Sequence, residues 1–257
     1  MIEAVSLWQL FILVPVFLLI AAAYGSVGLG GATGYLAVMT LCGISSTLMP
    51  STALTLNLVV TGSVMIRYGS AGRFRPELFV PFILPAVPFA FLGGMLELPE
   101  RLFFGLLAAV LATVTIITFR SAKRPEPSTV RSSLWLRWVI GLLAGSAIGL
   151  ASGALGIGGG IFLGPLVLLL RWAGPKEVAA MTAAFIFCVS GSGLLAHGLR
   201  GNIDPLLLGS LAIAALAGGM IGAHLGETRL SARALRRILA VILLVATLKA
   251  AMSALGT

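Results

Sequence analysis

Apolar residues fill this chain in long blocks separated by short polar punctuation. The blocks fall near residues 4–24, 31–43, 47–66, 78–96, 102–119, 134–151, 161–172, 178–196, 206–225 and 235–255. Most hold the roughly 17–25 residues that a helix needs to span a bilayer. The second and seventh do not: about 12–13 residues make ~20 Å of helix against a hydrocarbon core of ~30 Å. The pattern predicts an all-α polytopic membrane protein of about 8–10 membrane helices, two of them short and each preceded by a glycine-rich turn.

Those two turns match each other. Gly25-Ser26-Val27-Gly28-Leu29-Gly30-Gly31-Ala32 reads against Gly153-Ala154-Leu155-Gly156-Ile157-Gly158-Gly159-Gly160. Further on, Tyr68-Gly69-Ser70-Ala71-Gly72-Arg73-Phe74 reads against His197-Gly198-Leu199-Arg200-Gly201-Asn202-Ile203, and Gly93-Gly94-Met95 against Gly218-Gly219-Met220. Three matches in one order predict a single transmembrane domain over 1–257 made of two repeats, 1–125 and 126–257, which meet in the polar segment Arg120 to Ser133.

Five apolar blocks per half is an odd number, so the second repeat is expected to be inverted relative to the first. The basic residues agree. Arg67, Arg73, Arg75, Arg120, Lys123, Arg124, Arg131, Arg137, Arg171, Lys176, Arg229, Arg233, Arg236 and Arg237 all fall on one side, 14 of the 17 Lys and Arg. Arg101, Arg200 and Lys249 fall on the other. That asymmetry puts the first group in the cytoplasm and both termini outside. Ten full crossings, and six crossings plus two re-entrant hairpins, give every loop the same side, so charge leaves both open.

Composition removes the soluble alternatives. Of 257 residues, 59% are hydrophobic and 10% charged, with a mean hydropathy of +1.09, where a soluble domain carries about 25% charged residues. The net charge of +9 sits in clusters between apolar blocks, as on a cytoplasmic membrane face, and nucleic acid is not expected as a partner. Cys42 and Cys188 have no disulfide or metal spacing and read as small apolar fillers. Ala21-Ala22-Ala23 resembles a leader cleavage site. The start Met1-Ile2-Glu3-Ala4 lacks positive charge, however, and the run to Tyr24 is long enough to span. It is expected to be the first membrane helix, with no soluble domain before or after the membrane part.

Non-helical backbone within a bilayer must be buried in protein or line a wet cavity. A helix starting after a glycine turn aims unsatisfied N–H groups and a partial positive charge at that turn. Two such turns entering from opposite faces would make an anion site near the midplane without a cationic side chain. The competing reading is close helix packing. It applies to Gly141, Gly145, Gly149 and Gly153, and to Gly218, Gly222 and Gly226, which recur every four residues. For the paired turns the binding reading is favoured, because each precedes a short helix. The expected substrate-binding residues are Gly28, Gly30, Gly31, Gly156, Gly158, Gly159 and Gly160, with the uncharged polar Thr52, Asn57, Thr182, Ser190 and Ser192. Thr55 and Thr61 lie beside them. Hydroxyls of this kind often bond back to their own helix; the Asn57 amide is harder to satisfy locally.

Nucleotide chemistry is absent from these motifs. Thr33 stands where a dinucleotide fingerprint needs its third glycine, and no P-loop occurs. No cofactor, catalytic residue or metal ligand is expected. The eight acidic residues lie near block ends or in loops, leaving no deep carboxylate for a proton relay. His197 and His224 read as interfacial residues, and Pro81, Pro85 and Pro88 should bend the fourth block.

The doubled glycine turn, the Tyr-Gly-x-x-Gly and His-Gly-x-x-Gly loops and the two-repeat hydropathy together resemble the sulfite exporter TauE/SafE family over nearly the whole chain. The resemblance implies transport of a small sulfur-containing anion, sulfite or a short organosulfonate, across the bacterial cytoplasmic membrane. Gly28, Gly30, Gly31, Gly156, Gly158, Gly159 and Gly160 match its glycine segments. Opposite Asn57 the second half has Ile186 or Phe187, so no symmetric pair of site amides is expected. A secondary carrier with alternating access is the leading reading. An anion channel, a structural subunit and an intramembrane hydrolase using Ser152, Ser190 or Ser192 with His197 or His224 follow it. The expected partners are the substrate anion and the lipid bilayer, with homo-oligomerisation and the coupling ion left open.

Overall fold

The computed structural model describes residues 7–26, 28–69, 74–120, 133–199 and 205–228, with helical residues 247–248, 250–252 and 254–255. Parts of the two Gly-x-x-Gly loops, the segment between the halves and most of the tenth apolar block lie outside the described residues. Those described form helices and turns only. In chain order the helices are α1 (Leu7–Gly25), α2 (Ala32–Leu41), α3 (Met49–Gly69), α4 (Pro76–Met95), α5 (Glu100–Arg120), α6 (Leu134–Leu155), α7 (Gly160–Leu169), α8 (Pro175–Leu199) and α9 (Pro205–Thr228). Five stretches are long and apolar enough to cross a membrane: Met49–Ile66, Pro76–Met95, Leu134–Leu155, Lys176–Leu199 and Leu208–Leu225. The chain is an all-helical multi-pass membrane protein, as its hydropathy predicts.

The two short helices are shorter than the apolar blocks suggest. Each has 10 residues, about 15 Å of helix and half a bilayer core. Their ends explain the difference. Gly43 (φ 70) and Arg171 (φ 56) turn left-handed. The following N–H groups then reach back, Ile44 to the Met39 carbonyl at 3.0 Å and Trp172 to that of Val167 at 3.2 Å. These six-to-one bonds close each helix with a Schellman motif before the apolar run is used up.

Lipid-like surroundings supply no hydrophobic drive for helix association, so close packing of small residues must provide it. Along α6, a methyl placed on Gly141, Gly145, Gly149 or Gly153 would run into Pro81, Phe82, Ala86 or Ala90 of α4. On α9, Gly218 and Gly222 meet Leu18 and Ala22 of α1 in the same way. The helix pairings are reciprocal between halves: α4 with α6 and α9 with α1, α4 with α8 and α9 with α3, α2 with α3 and α7 with α8. The apolar windows of α3 and α8 are 61% and 72% buried, against 39% for those of α4, α6 and α9. Helices α3 and α8 therefore form the interior pair. Around them, Trp135, Leu143, Leu84 and Leu92 are exposed, as lipid-facing side chains should be.

Prolines 81, 85 and 88 do not break α4, which runs continuously from Pro76 to Met95. Pro81 and Pro85 instead fill the shallow surface left by Gly141 and Gly145. At one end of the bundle, Arg75 Nε lies 2.7 Å from Glu177 Oε1, and Glu177 Oε2 accepts the Gly174 N–H at 2.9 Å. This ion pair ties the start of α4 to the start of α8. Being partly exposed, it stabilises the fold by no more than about 1 kcal/mol. Its value is as a marker that the α3–α4 and α7–α8 connections share a side, as the basic residues predict.

Candidate functional site

Each glycine turn joins a long helix to a short one through the same main-chain path. In the first, the Leu29 N–H donates to the Tyr24 carbonyl at 2.9 Å; in the second, the Ile157 N–H donates to that of Ser152 at 3.1 Å. Gly28 (φ 80) and Gly156 (φ 74) are left-handed one residue earlier, so both long helices end in Schellman motifs. Three residues on, Gly31 (φ 96) and Gly159 (φ 75) are the N-caps of α2 and α7, and neither N-cap residue makes a side-chain cap bond. A left-handed residue at these two places is what lets the chain restart as helix at once, and only glycine takes it without steric cost.

The turns interlock with the opposite half. A methyl on Gly28 would strike Ala179 of α8, and one on Gly156 would strike Pro50 of α3. Between them stands the buried Asn57. Its Oδ1 accepts the Ala32 N–H at 3.2 Å. Its Nδ2 donates to the Ile157 carbonyl at 3.4 Å and to Ser190 Oγ at 3.3 Å. One amide thus bridges the first helical N–H of α2, the second glycine turn and α8. The amide orientation follows from chemistry, since the Ala32 N–H needs an acceptor and the Ile157 carbonyl a donor. Gly30 and Gly158 leave room for it, because a Cβ on either would overlap the Asn57 side chain.

The other expected site residues divide. Ser190 joins Asn57. Thr182 Oγ1 lies 3.4 Å from the Gly28 carbonyl, but its shorter bonds run to Val178 and Ala179 of its own helix, at 2.9 and 3.1 Å. Thr61 donates to the Asn57 carbonyl at 2.6 Å and Thr55 to that of Ser51 at 2.9 Å, both within α3. Gly160 packs on Ile186, the residue opposite Asn57 in the second half. Thr52 is buried on α3, but five residues from Asn57 it lies about 140° round the helix. Ser192 Oγ donates to the Val87 carbonyl of α4 at 2.6 Å, so this hydroxyl bridges two helices away from the turns.

Several polar groups near the turns were not in the expected set. Tyr24 OH and Thr33 Oγ1 are 3.0 Å apart beside the start of α2. Tyr35, one helical turn into α2, and Ser152, in the last turn of α6, are also buried here. Residue identity alone held a partial signal. A tyrosine and a threonine are out of place in so short an apolar helix, and Tyr24 takes the position of Ser152 when the turns are superposed. His197 is buried rather than interfacial, with Nε2 2.9 Å from the Gly153 carbonyl oxygen. Of the serines weighed for hydrolysis, Ser190 bonds Asn57 and Ser192 the Val87 carbonyl, while Ser152 Oγ has no partner among the described residues.

Comparison with known proteins agrees with this architecture. The family model described as "Sulfite exporter TauE/SafE" matches residues 13–250. The "Probable membrane transporter protein y4hK" of Sinorhizobium fredii (strain NBRC 101917 / NGR234) is 37% identical over 233 residues, covering 91% of this chain and 94% of that protein. The "Probable membrane transporter protein YunE" of Bacillus subtilis (strain 168) is 28% identical over 105 residues, 41% of this chain and 38% of that one. No solved structure matches. With paired glycine turns inside a helical membrane bundle and a family match over nearly its whole length, this chain belongs to the TauE/SafE family of membrane transporters.

Proposed function

We propose that this transporter is a secondary carrier that moves a small sulfur-containing anion, sulfite or a short organosulfonate, by alternating access. The observation that carries the reading is the Asn57 amide, which holds the first N–H of α2 on one side and the Ile157 carbonyl of the turn leading into α7 on the other, two turns from different halves of the chain. Helix N-termini attract anions through aligned N–H groups and a partial positive charge, and need no cationic side chain. Asn57 Oδ1 sits on the Ala32 N–H, where an oxygen of the substrate would sit, so substrate binding displaces it. The family description supplies sulfite as the first candidate.

Two inverted repeats, 1–125 and 126–257, make this site mobile. The reciprocal helix pairings and the four matched Schellman closures support the repeat; the odd number of apolar blocks per half and the one-sided basic residues support its inversion. In this scheme α1 and α9 move against α4 and α6 around the turns, which opens the site to one side at a time. The binding set is Gly28, Gly30, Gly31, Asn57, Gly156, Gly158, Gly159, Gly160 and Ser190, with Thr182 and Thr52 at its edge. Both termini face outward from the cytoplasmic membrane. Reporter fusions at each terminus should therefore be active only outside the cytoplasm, and cytoplasmic activity at both would overturn the orientation.

The deciding experiment is counterflow in proteoliposomes. Sulfite, sulfate, a two-carbon sulfonate and a carboxylate analogue are each tested with and without proton and sodium gradients. A carrier gives saturable, trans-stimulated exchange of a sulfur oxyanion; unsaturable flux without counterflow would make the protein a channel.

A further inference from the structure

Among the described residues, His197 is the one buried side chain of a type that changes charge between pH 5 and 8. It is 3% exposed, and its partner is a carbonyl that the second glycine turn sets free. The Schellman closure of α6 sends the Gly156 and Ile157 N–H groups to the Ser152 carbonyl, at 2.9 and 3.1 Å. The Gly153 carbonyl thereby loses Ile157, its usual helical donor, and His197 Nε2 takes that place at 2.9 Å. A carbonyl only accepts, so Nε2 carries a hydrogen and Nδ1 is the nitrogen that gains or loses the proton. This end of α6 can hold an imidazolium as well as an imidazole.

The ring stands on the face of α8 that the second turn packs against. Ile186, Ser190, Gly193 and His197 share that face by helical spacing. A methyl on Gly158 would meet Ile186 and Ser190, one on Gly160 would meet Ile186, and one on Gly193 would come within 3.3 Å of Gly153. Ser190 holds Asn57, and His197 lies two turns, about 10 Å, further along the helix. Other titratable groups are distant. Of the helices packed on α8, α7 has none, and α3, α4 and α6 carry Arg67 and Tyr68, Glu77, and Arg137 toward the other end of the bundle, where Lys176 and Glu177 of α8 also lie. Cys188 is on the opposite face of α8, Glu97 beyond α4 is exposed, and Arg200 lies outside the described residues. The repeat-matched position in the first half is Tyr68, so the duplicated fold carries one such ring.

Building on the anion-carrier reading above, we propose that His197 is the proton-binding residue that couples anion transport to a proton gradient. A proton from the aqueous side adds to Nδ1. The imidazolium then sets a positive charge about 10 Å from the Asn57–Ser190 contact, and the anion binds more tightly; loss of the proton releases it. Linkage makes the effect mutual, so the bound anion holds the proton and the two cross together. At an effective dielectric of 20, a unit charge at that distance changes anion affinity by about tenfold.

The test uses the tag-free, full-length protein in proteoliposomes, with sulfite and ethanesulfonate as probes; the second keeps a fixed charge from pH 5 to 8. Glutamine at position 197 still offers an N–H to the Gly153 carbonyl but takes no proton. His224 of α9 is exposed, and His224→Gln is the control. Wild type and control should accumulate the anion under an imposed proton gradient, with about tenfold tighter half-saturation by ethanesulfonate at pH 5 than at pH 8. His197→Gln should keep counterflow, lose its pH dependence and fail to accumulate. Because the chain has two histidines, the His224→Gln protein holds a single imidazole, and its ring resonances in detergent should titrate between pH 5 and 8 without any ligand. A ring signal that does not move overturns the proposal, as does proton-driven accumulation by His197→Gln or a wild type whose exchange ignores the proton gradient. Loss of counterflow along with accumulation would make His197 a structural cap and also overturn it. No exchange of either anion by the wild type would instead remove the carrier reading, and the coupling role with it.

Discussion

Gly153→Val should leave little folded protein. A side chain at Gly153 enters the Ala90 carbonyl of α4, where backbone meets backbone and no rotamer change gives relief. Overpacking a close-packed interior usually costs about 1–3 kcal/mol. A clash with main chain belongs at the upper end or beyond, a large share of the roughly 5–15 kcal/mol that holds a typical fold together. The effect should spread, because Gly153 also starts the turn on which α7 depends, and its carbonyl receives His197. The measurement is the unfolding midpoint and monodispersity in detergent, with Gly209→Ala as control. A methyl at Gly209 meets nothing within 4 Å, and alanine should gain up to about 1 kcal/mol of helix propensity there. A Gly153→Val protein with the wild-type midpoint would mean that α4 and α6 do not pack along this glycine row.

The second large effect belongs to Asn57. Asn57→Ala removes three hydrogen bonds at once and leaves the Ala32 N–H, the Ile157 carbonyl and Ser190 Oγ short of a partner. Each buried group left unsatisfied costs about 1–3 kcal/mol, so the variant should lose several degrees of thermal stability as well as transport. Asn57→Asp separates the two consequences. Its carboxylate still accepts the Ala32 N–H, but it sets a negative charge where the substrate anion must bind. Two like charges about 4 Å apart at an effective dielectric of 20 repel by ~4 kcal/mol. Anion affinity should therefore fall by about two to three orders of magnitude, while the first turn keeps its bond. Undiminished sulfite binding by Asn57→Asp would exclude the helix N-termini as the anion site.

Much of this is legible in the sequence alone. The length and apolarity of the blocks fixed helices of membrane type, because a lipid-embedded backbone must satisfy its own hydrogen bonds. The two glycine-rich turns stood out as a pair, since glycine content and a shortened helix are local properties written in consecutive residues. Asn57 stood out for a related reason: an amide within an apolar helix has no partner inside its own turn.

Tertiary structure decided which polar atoms meet. Thr182, Ser190 and Ser192 all lie on α8 and look equivalent in sequence. Packing against α4 commits Ser192 to Val87, the approach of α3 gives Ser190 to Asn57, and Thr182 stays mainly with its own helix. That one amide reaches both turns depends on α3 and α8 being the interior pair, a relation between residues more than a hundred positions apart. That Tyr35 OH and Ser152 Oγ are buried without a partner among the described residues is likewise invisible in the sequence, because a hydroxyl becomes an orphan only when every neighbour that might have satisfied it has been placed. Sequence determines which segments leave helical geometry and which solvent they live in, since those follow from composition over a few turns of chain. The partners of each buried polar group follow from how the helices close on one another, and only the folded chain supplies that.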